Sequence, residues 1–417
     1  MVDSQSNKST INKSNHQAIL YICAHSPTKL YPQAGQKIAW HNLRKYAINN
    51  NDNVDIVIIA NKAEIDTAQD LITEYGDRLY PYPLSKLNKI KSCLSNLHIP
   101  LKFATRSHKQ AARQIRLLLS ANNYDIIHFE YSHAAVYLDF ILDLETFAVF
   151  KNHRKFFNSQ NLNFSNNLLV KRVVEEEEKE EERKKEKNIY QKTKVIISIH
   201  DIISQSFLRK AESQSLLGIE VARLFAYEKK IYNLADELWV LSNKDRDILT
   251  SLFSVPAHRI IVTPPPLSDF VYKINRKPDK IEPLSILFWG AMDRPENEQA
   301  VIEFVDQCFH KLVQKNPKYK LYIVGSKPSQ KVLSLQSQDI IVTGFIKDPT
   351  PFFEKAAIGV VPLLTGAGLK LKTLEMLQAG LPVISTSVGA EGVTQNENLF
   401  VNDKLGEWDE FLSWNYL

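Results

Sequence analysis

The stretch from Pro362 to Val393, PLLTGAGLKLKTLEMLQAGLPVISTSVGAEGV, gathers residues able to bind a phosphate beside a polyol. Gly366 and Gly368 allow backbone turns that a Cβ would obstruct, and they lead into a helix-forming segment beginning near Leu369. The first amides of a helix lack intrahelical partners and the macrodipole is positive there, so a helix start facing a cleft suits an anion. Lys370 and Lys372 add full positive charges. Glu375 follows one turn after Lys372 on the same face, where its carboxylate can accept from hydroxyl groups. Phosphate next to polyol is the chemistry of a nucleotide sugar. The plainer alternative is a common Gly-rich turn followed by a surface ion pair worth roughly a few tenths of a kcal/mol. Which applies depends on the elements that position these residues.

Those elements alternate strand and helix along the whole chain. AILYICA (18–24) and VDIVIIA (54–60) read as buried parallel strands, with Gly35 and the helix-like IAWHNLRKYAI between them, one βαβ unit. Gly35 belongs to no GxGxxG run, so it is either a plain turn or a place where a ligand comes close to the loop. DIIHFE (125–130) is a further strand whose carboxyl end carries His128, Glu130 and then His133. A lone histidine there ordinarily packs or hydrogen-bonds internally, but two with a carboxylate beyond the strand end match where open parallel sheets bind ligands. KVIISIH ends in His200 and Asp201, and ADELWVLSNKDRDIL is a strand followed by a helix capped at Ser242 or Asn243. IIVTPPP closes the first half, because Pro264, Pro265 and Pro266 cannot continue a strand interior. In the second half SILFWG, KLYIVG, DIIVTG, AIGVVPL and PVISTS are strand-like, and most are separated by helical segments such as AVIEFVDQCFHKLVQ. Of the chain's 13 glycines, those at 290, 325 and 344 end such runs, which offers backbone to a ligand.

The expected organisation is a polar tail at 1–16, a first Rossmann-like domain at 17–272 and a linker at 273–284. A second Rossmann-like domain follows at 285–417, so the class is α/β. KRVVEEEEKEEERKKEK (171–187), within a charged insert at 165–193, has Glu-before-Lys pairs at helical spacing and almost no apolar face. It is a solvated helix or a disordered insert without chemistry.

The net charge of +5 over 417 residues is too small to point to nucleic acid, but its distribution is uneven. No acidic residue occurs from Arg78 to Tyr124, while Lys86, Lys89, Lys91, Lys102, Arg106, Lys109, Arg113 and Arg116 are all basic, a candidate surface for an anionic membrane or acceptor. The isolated Cys23, Cys93 and Cys308 support neither a disulfide framework nor a zinc site. The N-terminus has no apolar signal region, and no apolar run reaches membrane-spanning length. These features predict a cytoplasmic protein, peripheral at most to the cytoplasmic face of a membrane.

The opening motif resembles the donor-site signature of the group 1 glycosyltransferases, family 4, in its GAGLKxKxLE branch. FWGAMDRPENEQAVIEF, KLYIVGSKP and DIIVTGFIKDPTPFFEKAAIGVVPL follow in that family's order. The likeness covers nearly all of the second domain. In the first it is carried by Gly35, DIIHFE, SIHD and LADELWVLSNKDRDIL. The resemblance implies a GT-B fold and transfer of a sugar from a nucleoside diphosphate donor to a glycan or lipid-linked acceptor, with retention and without metal or other cofactor. It implies that Glu375 holds the donor ribose. Lys370, Lys372 and Arg294, near the Gly290 turn, would neutralise the diphosphate. Asn297 matches an asparagine of this branch and is equally a helix cap; the turn Gly389–Gly392, with Glu391 inside it, either closes over the donor sugar or is an ordinary loop. His128, Glu130 and His200 are the catalytic candidates on the first domain, with Gly35 and Asp201 on the acceptor side.

This sequence departs from the family pattern in three places. Ala367 stands where many relatives carry a second glutamate, eight positions before Glu375. The strand-end histidine of the family falls at Glu130, which leaves open which of the three candidates faces the sugar. The chain ends at SWNYL, where relatives usually continue with a helix that packs back on the first domain. These departures keep two other readings in view: a noncatalytic nucleotide-sugar-binding or scaffold protein, and a nucleotide-sugar epimerase.

Overall fold

The computed structural model describes residues 17–29, 34–50, 53–142, 193–211 and 217–415. The charged run at 171–187 and the tail at 1–16 lie outside the described residues. Two sheets, both wholly parallel, organise the remainder. The first contains β1 (Ile19–Cys23), β2 (Val54–Ala60), β3 (Leu79–Pro83), β4 (Ile126–Glu130), β5 (Lys194–Ile199), β6 (Glu237–Val240) and β7 (Ile260–Val262) in the order β3-β2-β1-β4-β5-β6-β7. The second contains β8 (Glu282–Trp289), β9 (Lys320–Val324), β10 (Ile340–Gly344), β11 (Ala356–Val361), β12 (Val383–Ser385) and β13 (Leu399–Val401) in the order β10-β9-β8-β11-β12-β13.

Both orders run outward from a central strand in one direction and then resume on its other side. Each sheet therefore has a topological switch point, between β1 and β4 and between β8 and β11, where open parallel sheets hold ligands. The central strands are covered on both faces, so ILYIC at β1 and IIHFE at β4 are buried at every position. At the rim, LYPYP forms β3, a strand absent from the sequence reading. Its prolines, paired opposite Ile58 and Ala60, lack the amide a central strand needs and are accommodated only at an edge.

Each sheet has its own apolar core. Phe253 and Tyr232 lie in the first, and Phe304, Phe353 and Trp408 in the second. Val271, with Phe270 and Ile274 beside it, packs into the second core, so the segment after Pro266 is anchored there before β8 begins. AVIEFVDQCFHKLVQ spans a helix, Pro295–Phe304, a π turn, Val305–Phe309, and a further helix, His310–Lys315. The helix of the opening motif runs Leu371–Gln378, two residues later than expected, with Lys370 at its N-cap. Among the described residues no helix is long and apolar enough to cross a membrane.

Candidate functional site

The donor-side residues meet at the β8/β11 switch point. A Cβ on Gly290 would lie 2.9 Å from the Lys372 Nζ and 3.0 Å from the Asn297 Nδ2, so only glycine leaves this corner open. Lys372 donates to the Asn297 Oδ1 and stands 5.2 Å from the Phe288 ring centroid; neither partner carries charge. Asn297 is fixed from its other end, its Nδ2 donating to the Ala291 carbonyl at 2.7 Å. Burial, with Arg294 and Lys370 nearby, pushes the Lys372 ammonium down to about 7. Glu296 opposes this shift only in part, so positive charge predominates at this corner.

Glu375 is buried and already engaged. Its Oε1 accepts from the Ser268 amide (3.1 Å) and hydroxyl (2.5 Å), and its Oε2 from the Trp289 indole (3.0 Å). Three of roughly four lone-pair positions are used. Ser268 is itself reached from the first domain by Lys37 at 2.9 Å. A ribose diol would displace or share Ser268, which would act as a placeholder for the sugar hydroxyls.

Lys370 and Glu391, both expected to touch the donor, instead sit inside an ion cluster. Glu391 accepts a bidentate pair from Arg209 at 2.8 Å each, a bond from Gln205 at 2.8 Å, a close contact from Lys244 and one from Lys370 at 3.2 Å. Burial alone would raise its pKa, but Arg209 and Lys244 outweigh that and hold it at about 2. Arg209, Lys244 and Gln205 all belong to the first domain, so Glu391 is an interdomain anchor. Arg209 also donates to the Gly366 carbonyl, binding the phosphate-type turn to the same contact. At Gly368, with φ +74°, a Cβ would come within 2.8 Å of the His200 carbonyl and 3.1 Å of the Asp201 Cβ. The two domains thus touch backbone to backbone across this glycine. Gly392 makes a comparable approach to Ser242, whose hydroxyl caps the helix Asn243–Ser251. Gly389 packs inside its own domain, where a Cβ would strike Ser385 and the Val361 carbonyl at 2.4 Å.

On the first domain the three catalytic candidates form one network at the β1/β4 switch point. Glu130 is completely buried and takes four donors: Tyr21 (2.7 Å), Asn42 (3.2 Å), His128 (3.1 Å) and His200 (2.5 Å). Burial would raise its pKa, yet the two imidazole donors prevail and hold it well below the carboxylate range. With every lone pair taken, Glu130 has no capacity left for a substrate. His128 is equally internal, its Nδ1 accepting from Tyr46 at 2.7 Å so that its Nε2–H faces Glu130. Of the three, only His200 keeps an unused polar atom, its buried Nδ1. Asp201 follows it beside Gly368. Gly35 lies against Tyr131, whose hydroxyl would be 2.8 Å from a Cβ there.

Tyr131 escaped the sequence reading. It stands just past β4 with φ +74° and ψ +138°, a conformation that costs a bulky residue about 1–3 kcal/mol and persists where the surroundings impose it. Its ring lies 4.0 Å from that of His200 and 4.9 Å from that of His25. His133 is near and buried, its Nε2 unpartnered; burial, with Arg106 close by, lowers its pKa far below the usual value. Position beyond a strand end was the one available signal for Tyr131. Arg209, Lys244, Gln205 and Ser268 offered none, because interdomain contacts leave no periodic mark.

Residues 283–410 match the family described as Glycosyl transferases group 1. A Klebsiella pneumoniae protein, described as an uncharacterized 44.6 kDa protein in the cps region, is 27% identical over an alignment of 196 residues that covers 43% of this chain and 48% of that one. The match thus spans about half the length of this relative. The fold is similar to that of HepE from Anabaena, solved with UDP-glucose (12% identity, TM-score 0.55, covering 95% of this chain and 89% of that one). It is also similar to the lipopolysaccharide outer core galactosyltransferase WaaB (12% identity, TM-score 0.55, 95% and 88%). Sucrose-phosphate synthase of Thermosynechococcus elongatus is a third (14% identity, TM-score 0.55, 95% and 89%). At such identities the likeness establishes architecture alone. Residues 283–410 carry a group 1 glycosyltransferase domain, and the chain as a whole has the GT-B fold.

Proposed function

We propose that the protein transfers a sugar from a nucleoside diphosphate sugar to a hydroxyl of a glycan or lipid-linked acceptor, with retention and without a metal. The observation that carries this reading is the geometry at Lys372, which donates to Asn297 and stands against Phe288 at the Gly290 corner, with Arg294 and Lys370 near and Glu296 offsetting their charge only in part. A diphosphate supplies the balancing charge. In the transfer, the bond from the anomeric carbon to the β-phosphate oxygen breaks and a bond to the acceptor oxygen forms on the same face. The acceptor proton passes to the departing diphosphate. Negative charge grows on the phosphate as this happens, and Lys372 and Arg294, with the turn amides, stabilise it electrostatically in place of a divalent ion. Glu375 selects the ribose, and His200, held in orientation by Glu130, is the first-domain side chain assigned to the transferred sugar.

Uridine nucleotides are the first donors to try, since HepE was solved with UDP-glucose. The test is a thermal-shift panel of nucleoside diphosphate sugars followed by turnover assays with and without chelator. UDP-sugar stabilisation and chelator-insensitive transfer are expected, with transfer lost in Glu375→Ala while the fold is kept. Wild-type turnover by Glu375→Ala refutes the donor assignment, and loss of activity on chelation refutes the metal-free step.

One observation favours the noncatalytic alternative: Ser268 and Trp289 already occupy Glu375. Donor binding without hydrolysis or transfer across many acceptors would support it. An epimerised sugar nucleotide formed without acceptor would instead indicate an epimerase.

A further inference from the structure

The helix Lys86–Ser95 contributes no buried residue to the fold. Its inner side is held by Ser92, which donates to the Ala104 carbonyl at 2.7 Å, and by Lys89, which donates to Asn61 at 2.9 Å. The outer side carries Leu87, Ile90 and Leu94, spaced i, i+3, i+7, and they are 68%, 57% and 69% exposed. The apolar edge continues through Leu97 (71%) and Leu101 (49%). Glu220 accepts from the Leu101 amide and Arg223 donates to the Ile99 carbonyl, which brings Ile219, 75% exposed, to the same edge. Scattered exposed leucines are ordinary, whereas a continuous row of this kind marks an interaction surface.

The charges around the row identify what it meets. Lys86 and Lys91 lie on either flank of the Leu87–Ile90–Leu94 stripe by helical spacing, and no acidic residue occurs from Arg78 to Tyr124. Lysines flanking an apolar stripe suit the plane where acyl chains meet anionic headgroups, their methylene stems in the apolar layer and their ammonium groups at the phosphates. A helix of 10 residues is too short to cross a bilayer and lies in its plane. Arg106 does not belong to this surface, although its place in the basic segment suggested it. It is buried and donates to the carbonyls of Ala24 and Ile59 and to His25.

We infer that the helix Lys86–Ser95, extended by Leu97, Leu101 and Ile219, docks the protein on an anionic lipid surface. The helix starts just past Pro83, the carboxyl end of β3, and the site opens at that same end of the sheet. Docking would therefore hold the cleft beside the lipid. The link to a lipid-linked acceptor rests on the transfer reading, while docking itself does not.

The test is co-sedimentation of the full chain with phosphatidylcholine vesicles, with and without phosphatidylglycerol, at low and high salt. Binding is expected only with phosphatidylglycerol and should weaken with salt. Lys86→Gln and Lys91→Gln should each weaken partitioning about fivefold, and Ile90→Asp with Leu94→Asp about tenfold or more. Because these side chains face outward, thermal melts and UDP-sugar shifts of the variants should match wild type. Equal sedimentation with neutral vesicles, or undiminished binding by the Ile90/Leu94 variant, overturns the proposal. So does concentration-dependent self-association that this variant abolishes without any vesicle binding, which would make the row a contact between copies. Vesicle binding without a shift from any nucleoside diphosphate sugar of the panel would leave docking intact and remove the transfer reading alone.

Discussion

Replacing Lys372 by methionine tests the donor site and its energetics together. The ammonium is pushed down from 10.5 to about 7 by burial and by Arg294 and Lys370, so folding opposes its charge. Linkage across that interval gives an upper bound of about 4 kcal/mol of destabilisation at pH 7. The side chain is partly open to the cleft and bonded to Asn297, so solvent screening brings the expected effect to about 1–2 kcal/mol. The sign follows from proton binding. Between about 7 and 10.5 the unfolded chain holds the proton more often than the native one, so wild-type stability rises with pH across that window. Lys372→Met, of similar length and without charge, should melt higher than wild type near neutral pH and lose that slope. Donor binding should behave oppositely. Two phosphate charges raise the ammonium pKa again, so binding takes up a proton above about pH 7 and weakens by up to about tenfold per pH unit there. UDP-glucose suits the measurement because its esterified diphosphate keeps a constant charge through this range. Calorimetry should show the slope for wild type and neither slope nor measurable binding for the variant. A methionine variant that binds UDP-glucose with the wild-type pH profile refutes the reasoning, as does one that melts lower.

Glu391→Gln should loosen the domains, seen as an increase in radius by small-angle scattering, because two first-domain cations lose their partner. In wild type the depressed Glu391 carboxyl contributes stability that is present above its unfolded value and lost as pH falls toward about 2, so acid should produce the same expansion. Gly368→Ala forces a Cβ to within 2.8 Å of the His200 carbonyl at φ +74° and should destabilise by about 1–3 kcal/mol in chemical denaturation. Gly76→Ala, at φ +49° with open space around it, should cost less and leave the domain arrangement unchanged. His200→Ala should abolish transfer with little change in melting, whereas Glu130→Gln should lose about 2–4 kcal/mol as well as activity, because four buried donors converge on that carboxylate. Equal melting of these last two variants would refute this distinction between His200 and the buried carboxylate.

Legibility in the sequence followed the physics of each element. Strands buried on both faces leave unbroken apolar runs, so ILYIC, VDIVIIA and KLYIV could be read directly. LYPYP could not, since its prolines argue against a strand until the sheet order shows it at an edge. The Gly-Lys-Glu spacing at the start of the helix Leu371–Gln378 was readable because helix geometry fixes those residues relative to one another over a few positions. The capture of Glu391 by Arg209 and Lys244 was not, because it joins residues 182 and 147 positions apart across two domains. The division of labour among His128, Glu130 and His200 needed the count of donors around one carboxylate, which spacing along a strand does not contain.

The anchoring of Glu391 also bears on the rhythm of turnover. Arg209 grips both that carboxylate and the carbonyl of Gly366, so the turn that would clasp the phosphates cannot part from the first domain unless Arg209, Lys244 and Gln205 release it. Admission of donor and escape of spent nucleotide then become one mechanical event, gated by electrostatics. Raised ionic strength, which weakens such a cluster, would quicken release in an enzyme limited by that step and leave bond-making itself untouched.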